Sequence, residues 1–192
     1  MMKGFESSWW YRGRFLVASK ATTHIPANPL GRVLDMGAGF GGMFPLLSRF
    51  GSVDAYEPNK DATAVLKERG YQEVFAVTPT SSSHAHQYTL IGLFDVLEHI
   101  EDDESALKTL HDLLKEDGKC VITVPALQLL WSKHDVDCQH FRRYSASSLR
   151  ALLARTGFEV QYLSYWNMTL FLPAYLSRKL GLASSEGETT GL

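Results

Sequence analysis

The sequence RVLDMGAGFGG at residues 32–42 decides the fold. Its apolar first half predicts a β-strand over 32–37, and the glycines that follow predict a sharp turn into a helix. Gly37, Gly39 and Gly42 lie where a ligand could approach the backbone beside the amino end of that helix. The stretch therefore predicts a parallel α/β sheet with a site for a large polar ligand at the end of its first strand.

Outward from this stretch, short apolar runs alternate with segments of helical period, as in successive βαβ units. This order predicts a Rossmann-like three-layer αβα sandwich with a mostly parallel sheet of six strands, which lacks the last strand or strands of such folds. The strands are predicted at 32–37, 52–58, 73–77, the first part of 88–100, 119–125 and 158–166, and the helices at 40–50, 59–70, 101–118, 145–157 and 167–182.

Three regions are expected along the chain. Residues 1–31 are predicted to form a helical lid segment, residues 32–182 the main domain, and residues 183–192, which are small and polar, a flexible tail.

The amino-acid composition argues against general nucleic-acid binding, membrane binding and a disulfide-rich fold. The 192 residues carry a net charge of −2, which gives no general attraction to nucleic acid or to anionic membranes. The two cysteines form no disulfide framework, and no signal peptide or apolar span is apparent. The sequence predicts a cytoplasmic protein with no stable membrane insertion.

The glycine turn alone leaves two ligands open. Gly37, Gly39 and Gly42 also satisfy the dinucleotide fingerprint, and Glu57 at the end of the second strand could bind ribose hydroxyls in either case. Asp35 favours a ligand with a sulfonium or ammonium group, because its carboxylate would repel a pyrophosphate.

Four segments together resemble the small class I S-adenosylmethionine-dependent methyltransferases that act on metabolites and lipids. They are VLDMGAGFGG (33–42), YEP (56–58), DVLEHIEDDESALKTLHDLLKEDGKCVITVP (95–125) and HFRRYSASSLRALLARTGFEV (140–160), and the resemblance covers about residues 9–166. It implies S-adenosylmethionine as the cofactor.

The resemblance also implies roles for individual residues. Residues 94–99 would form the wall beside the transferable methyl group, and an N-terminal lid would close over the cofactor. The usual acidic residue that binds the adenine amino group is replaced by neutral residues around Val77, Thr78 and Pro79. The implied cofactor residues are Asp35, Gly37, Ala38 and Gly39 at the methionine end, Glu57 and Pro58 at the ribose, and Asp95 and Val96 near the methyl group, with Trp9, Trp10, Tyr11 and Arg14 in the lid.

The loop after the fifth strand offers candidates for catalysis. His134 or His140 could act as a general base if the acceptor is a hydroxyl group. Arg142, Arg143 and Tyr144 follow and could bind a phosphate or carboxylate of the substrate. The apolar run LSYWNMTLFLPAYL (163–176) beside this loop favours a small-molecule or lipid-like acceptor.

No metal is expected, although two clusters offer donor atoms. Asp95, Glu98 and His99 resemble the metal-linked E-x-x-E-H stretch of ubiquinone-pathway O-methyltransferases, and carboxylate oxygens would suit Mg²⁺. The alternative is that Glu98 caps a neighbouring helix and His99 packs beside the cofactor. The second cluster, which lacks a recognised ligand spacing, contains His134, Asp135, Asp137, Cys138 and His140.

Three other functions are weighed against methyl transfer. An NAD(P)-dependent oxidoreductase would use the Y-x-x-x-K pair Tyr175 and Lys179, but this pair lies in a docking helix beyond the sixth strand. A nucleic-acid methyltransferase would carry an N-P-P-Y type loop after the fourth strand, where DVLEHI stands instead. A non-catalytic scaffold would bind cofactor without turnover.

Overall fold

Residues 8–179 are described by the computed structural model, and in them five parallel strands form one sheet. The strand order is β3-β2-β1-β4-β5, so β1 and β4 lie side by side at the centre. The carboxyl ends of β1 and β4 therefore meet where the strand order reverses. The strands are β1 Arg32–Met36, β2 Ser52–Tyr56, β3 Val74–Phe75, β4 Tyr88–Phe94 and β5 Leu114–Thr123.

Helices cover both faces of the sheet, which confirms the predicted three-layer α/β architecture. None of the helices within residues 8–179 combines the length and apolar character needed to cross a bilayer. The helices are α1 Trp9–Ala21, α2 Phe44–Leu47, α3 Lys60–Arg69, α4 Ser81–His84, α5 Asp103–Leu113, α6 Lys133–Asp137, α7 Ala146–Arg155 and α8 Phe171–Lys179.

The core has two parts because successive strand residues point to opposite faces. Val33 packs with α2 and α3 on one face, whereas Leu34 packs with α5 and α7 on the other. Leu90 and Ile91 of β4 alternate in the same way. The central strands are thus buried on both sides, as expected for a parallel sheet.

Predicted helix ends are confirmed where a local side chain or glycine sets them. The Asn59 side chain accepts a hydrogen bond from the Asp61 backbone N–H at the start of α3, which ends at Gly70 with a φ of 103°. Ser145 caps α7 through the backbone N–H of Ser148. Such caps satisfy helix-terminal groups that otherwise have no partner.

Several predicted elements are longer than the observed ones, three of them for a clear physical reason. The segment 40–50 contains only the short α2 and a 3₁₀ turn, because Gly41 has a positive φ of 78° and the chain is still turning there. The predicted strand 73–77 pairs over two residues, Val74–Phe75. The predicted helix 101–118 ends at Leu113, because Leu114 already pairs with Tyr88 in the sheet.

The predicted sixth strand at 158–166 is wrong. These residues are described but join no strand, although Phe158, Val160 and Leu163 pack against the core cluster beside β5. This packing buries the alternate apolar side chains of the segment, although its backbone pairs with no strand in the described residues. Within residues 8–179, β5 is therefore an edge strand, and a helix follows at Phe171–Lys179. The predicted tail 183–192 lies outside the described residues.

Candidate functional site

The glycine turn after β1 leaves open space beside its backbone. The N–H groups of Gly37 and Ala38 both donate to the Tyr56 carbonyl, which fixes the turn against β2. Gly37 and Gly39 have φ values of 74° and 53°, which favour glycine. A Cβ at Gly37 would lie 2.6 Å from Val96, but a Cβ at Gly39 would meet nothing within 4 Å. The turn is therefore packed against Val96, just after β4, on one side and is open on the other.

Glu57 holds the turn from the end of β2. Its two carboxylate oxygens accept hydrogen bonds from the backbone N–H groups of Gly39, at 2.7 Å, and Asn59, at 2.8 Å. The side chain is largely buried, and Pro58 beside it is exposed. Each oxygen retains capacity to accept a further hydrogen bond, so this carboxylate could receive two hydroxyl groups of a ligand.

Asp35 is a buried carboxylate directly before the turn. The Tyr71 hydroxyl donates to its Oδ2 at 2.5 Å. Burial raises the pKa of Asp35 to about 7, although the Tyr71 hydrogen bond and the charge of Arg14 act in the opposite direction. Glu57 raises it further. An ionised Asp35 would thus be stabilised by a positively charged ligand.

Asp95 follows β4 and connects the sheet to α1. It has a positive φ of 58°, and its Oδ1 accepts from the Thr123 hydroxyl at 2.8 Å. Its Oδ2 pairs with the Arg14 guanidinium at 2.7 Å. The Nε of Arg14 is buried without a partner in the described structure, so this guanidinium has an unused donor.

Helix α1 lies over the site through further contacts. The Tyr11 hydroxyl donates to the Gly42 carbonyl, which attaches α1 to the glycine turn. Trp10 packs against Trp166 with 4.7 Å between ring centroids and the two rings tilted by 39°, whereas Trp9 is 58% exposed. These contacts place α1 over two strand ends; its role as a lid stays a prediction.

Two histidines and a glutamate meet beside Asp95. One donor atom each of Glu98, His99 and His140 lie within 4.8 Å of one another. Glu98 is buried, and its Oε2 has no hydrogen-bond partner in the described structure. Burial, together with the charge of Asp95, raises the pKa of Glu98 to about 8. Burial and the neighbouring His140 lower the pKa of His99.

Asp135 organises the loop that carries His140. It is fully buried, accepts from His140 Nδ1 at 3.0 Å, and forms a two-pronged ion pair with Arg143. Burial alone would raise its pKa, but the hydrogen bonds from Arg143 and His140 lower the pKa of Asp135 to about 2. Asp135 therefore stays ionised at neutral pH and can orient the His140 ring.

The other predicted loop residues lie in different surroundings. His134 is exposed and 3.7 Å from the Cys138 sulfur, with 6.4 Å between its ring centroid and that of His140. Arg142 pairs with Asp103 at 2.7 Å, and the buried Tyr144 hydroxyl donates to the same carboxylate at 2.8 Å. The predicted substrate contacts of Arg142, Arg143 and Tyr144 stay predictions.

The residues expected near adenine offer no carboxylate. Val77 is 78% exposed, Thr78 is partly exposed and Pro79 is buried. Phe75 lies edge-on to the His84 ring at 5.0 Å between centroids.

Sequence reasoning missed the residues that hold the predicted ones in place. Tyr71 binds Asp35 across 36 positions, and Thr123 binds Asp95 across 28. No local pattern marks either residue. Asp135 was noted only as one of several acidic residues near the histidines; its position after Ser132, with which it forms a capping box, was the available signal.

Comparisons with known proteins identify one family. A family model described as "Methyltransferase domain" matches residues 11–163. A ubiquinone biosynthesis O-methyltransferase of Citrobacter koseri is 29% identical over 96 residues, which cover 46% of this chain and 40% of that protein. The chain thus spans well under two thirds of that relative's length.

Solved structures share the fold. An S-adenosylmethionine-dependent methyltransferase from Mesorhizobium loti has a TM-score of 0.67 at 15% identity, covering 88% of this chain and 94% of its own. The YcgJ protein from Bacillus subtilis has a TM-score of 0.64 at 18% identity, covering 91% and 86%.

Proposed function

The chain belongs to the methyltransferase domain family and is S-adenosylmethionine-dependent, and from this premise we propose that it methylates a hydroxyl group of a small-molecule or lipid-like acceptor. The family match favours this function over the nicotinamide-dependent alternative. The observation that carries the hydroxyl proposal is the His140–Asp135 pair, which offers a base at the edge of the cofactor site. We also propose the cytoplasm as its location, since the sequence has only two cysteines and no disulfide framework.

The residues around the glycine turn fit the cofactor. S-adenosylmethionine, when bound, supplies a methyl group on a positively charged sulfur. The open space beside Gly39 accommodates a ligand against the backbone, and Arg14 has a buried unpaired donor suited to a carboxylate. We assign Asp35, Gly37, Ala38 and Gly39 to the methionine end, Glu57 and Pro58 to the ribose, and Asp95 and Val96 to the surroundings of the methyl group.

His140 is a better candidate base than His134. In the tautomer that donates Nδ1–H to Asp135, its Nε2 carries a lone pair that can accept a proton. With S-adenosylmethionine bound, transfer of its methyl group to a hydroxyl oxygen would release the hydroxyl proton, and Nε2 would accept it. His134 is exposed and no carboxylate orients it in the described structure, so it lacks this support.

An apolar surface near the loop supports a lipid-like acceptor. Leu129 is 54% exposed and lies in a 3₁₀ turn, Gln128–Leu130, in the loop after β5, and α8 packs beside this turn. Met168, Leu172 and Leu176 are also about half exposed. Exposed apolar side chains grouped beside a site are typical of surfaces that contact apolar ligands. The name of the Citrobacter koseri relative, an O-methyltransferase, supports an oxygen acceptor.

The test measures S-adenosylhomocysteine formation with a panel of phenols and catechols, with and without polyprenyl or alkyl chains. His140→Gln is compared with His134→Gln, and cofactor affinity is measured by calorimetry for each variant. We expect His140→Gln to lower kcat by about 10²- to 10⁴-fold with unchanged cofactor affinity, because it removes the base alone. Turnover that survives this change, or that is lost equally in His134→Gln, would contradict the assignment. Turnover with none of the panel would exclude this acceptor class.

A further inference from the structure

We propose that the outer face of helix α1, formed by Trp9, Arg12, Leu16 and Lys20, docks the protein on the surface of a membrane that contains anionic lipids. These side chains follow one another at spacings of three and four residues, and all four are exposed. Docking of this kind is peripheral, because the 13 residues of α1 are too few to cross a bilayer. The inference goes beyond the proposed function, since binding to vesicles needs neither cofactor nor acceptor.

Helix α1 has an inner face that is already occupied. The Tyr11 hydroxyl donates to the Gly42 carbonyl, Arg14 pairs with Asp95, and Ala18 is buried. With 3.6 residues per turn, positions 11, 14 and 18 lie on one side of the helix and the outer face lies on the other. The inner contacts fix the helix, so its outer face can meet a flat surface without rearrangement of the glycine turn.

The outer face exposes two large apolar side chains. Trp9 is 58% exposed and Leu16 is 64% exposed, and they lie two helical turns apart on the same side of α1. Trp10, beside this face, is also exposed. Tryptophan is enriched at the boundary between lipid and water. A single helix forms a convex ridge, which can sink into the boundary between headgroups and acyl chains.

The charge of this part of the chain complements anionic lipid. Residues 7–34 contain four Arg or Lys residues and no Asp or Glu, although the whole chain has a net charge of −2. Two of these cations, Arg14 and Arg32, pair with aspartates. Arg12 and Lys20 are exposed on the outer face, on either side of Leu16. A basic amphipathic helix is typical of proteins that bind membrane surfaces.

An open cleft continues the outer face at its Lys20 end. Its volume is about 370 Å³, and its lining includes Lys20, Thr23, His24 and Tyr162. These side chains provide an ammonium group, two hydroxyl groups and an imidazole, which can donate hydrogen bonds to phosphate oxygens. Tyr162 is exposed, and tyrosine, like tryptophan, is enriched at the level of the headgroups. The cleft is therefore suited to the phosphate of a lipid headgroup.

The test measures sedimentation of the purified chain with vesicles of phosphatidylcholine, either alone or with about one third phosphatidylglycerol. We expect binding to the anionic vesicles only, and dissociation at about 1 M salt, where the screening length falls to about 3 Å. Lipids brominated on their acyl chains should quench tryptophan fluorescence. Trp9→Phe should reduce this quenching, because Trp9 is the ring on the outer face.

The contribution of charge is tested with a matched pair of double variants. Arg12→Gln with Lys20→Gln should weaken binding to anionic vesicles at least about tenfold, because each cation near the surface contributes about fivefold. Lys60→Gln with Lys67→Gln removes two exposed cations from α3 and should bind as the wild type does. Equal weakening by both double variants would indicate a dependence on net charge alone and would contradict a specific face.

The apolar contribution is tested with two leucines. Leu16→Ser should weaken binding about tenfold, because the burial of one leucine side chain in the lipid is lost. Leu30→Ser changes a leucine that is 95% exposed and lies outside α1, and it should have no effect. Calorimetry without vesicles should show wild-type affinity for S-adenosylhomocysteine in Leu16→Ser and in the α1 double variant, because neither change touches the glycine turn.

Two results would overturn the proposal. The first is a wild-type chain that does not bind anionic vesicles, or binding that persists unchanged in Leu16→Ser and in the α1 double variant. The second is a concentration-dependent dimer in light scattering that Leu16→Ser converts to a monomer, without any binding to vesicles. In that case the outer face would be an interface between two copies of the chain.

Discussion

Asp35→Asn should make the stability of the protein less sensitive to pH and should weaken cofactor binding. Asp35 is 2% exposed, and its pKa is raised from 3.8 to about 7, mainly because burial disfavours the charged carboxylate. Between these two values the folded state binds a proton that the unfolded state has released. The free energy of unfolding therefore falls as pH rises through this window.

The magnitude follows from the two pKa values. Between about pH 5.5 and pH 8, Asp35 should lower the wild-type free energy of unfolding by about 2 kcal/mol. Asparagine has no charge to lose and its amide oxygen can still accept from Tyr71. The variant should lack this decrease, so at about pH 8 it should be the more stable protein, by up to about 4 kcal/mol.

The assay is urea unfolding of wild type and variant at both pH values. Other groups, Glu98 among them, titrate in both proteins and cancel in the comparison, and Asp112→Asn, which changes an exposed carboxylate, is the control. Cofactor affinity at about pH 8 should fall by about 10- to 100-fold in Asp35→Asn, because a charged acceptor is lost. A variant whose pH dependence equals that of the wild type would refute a raised pKa for Asp35.

Other changes test separate parts of the site. Glu57→Gln should weaken cofactor binding by about tenfold or more, measured by calorimetry, because an amide cannot accept the same four hydrogen bonds. Arg14→Met should increase hydrogen exchange in Trp9–Ala21 and speed cofactor release in stopped-flow fluorescence, because it removes the ion pair to Asp95. Asn59→Ala should lower the free energy of unfolding by about 1 kcal/mol in urea titrations and leave cofactor affinity unchanged, since only the α3 cap is lost.

Local sequence signals were sufficient for the order of elements and for the glycine turn. Gly37 and Gly39 adopt the positive φ values that their positions predict, and Asn59 and Ser145 cap the helices that follow them. These features depend on residues close together in sequence. Their success explains why the position of the site, at the end of the first strand, followed from the sequence.

Predictions failed where a distant contact decides the structure. Leu114 belongs to the leucine pattern of α5, but its pairing with Tyr88 draws it into the sheet. The alternation in 158–166 is real, since Phe158 and Val160 pack inward, yet no neighbouring strand in the described residues pairs with it. Periodicity indicates which side is buried; it does not supply a hydrogen-bonding partner.

The site itself was only partly predictable for the same reason. Asp35 was predicted from its place before the glycine turn and Asp95 from the family resemblance, but their partners Tyr71 and Arg14 lie 36 and 81 positions away. Similarly, His140 joins Glu98 and His99 only because the loop after β5 folds back over the end of β4.

The charges at this edge of the sheet explain why the site favours a positive ligand. Glu57 raises the pKa of Asp35, and Asp95 raises the pKa of Glu98, in surroundings that burial makes less polar than water. Of these four carboxylates, only Asp95 forms an ion pair with Arg14 in the described residues. A ligand that brings a sulfonium and an ammonium group lowers the energy of the remaining carboxylates, whereas a pyrophosphate would raise it. We therefore expect the surrounding carboxylates to make the glycine turn, which could serve either class of ligand, selective for the positively charged one.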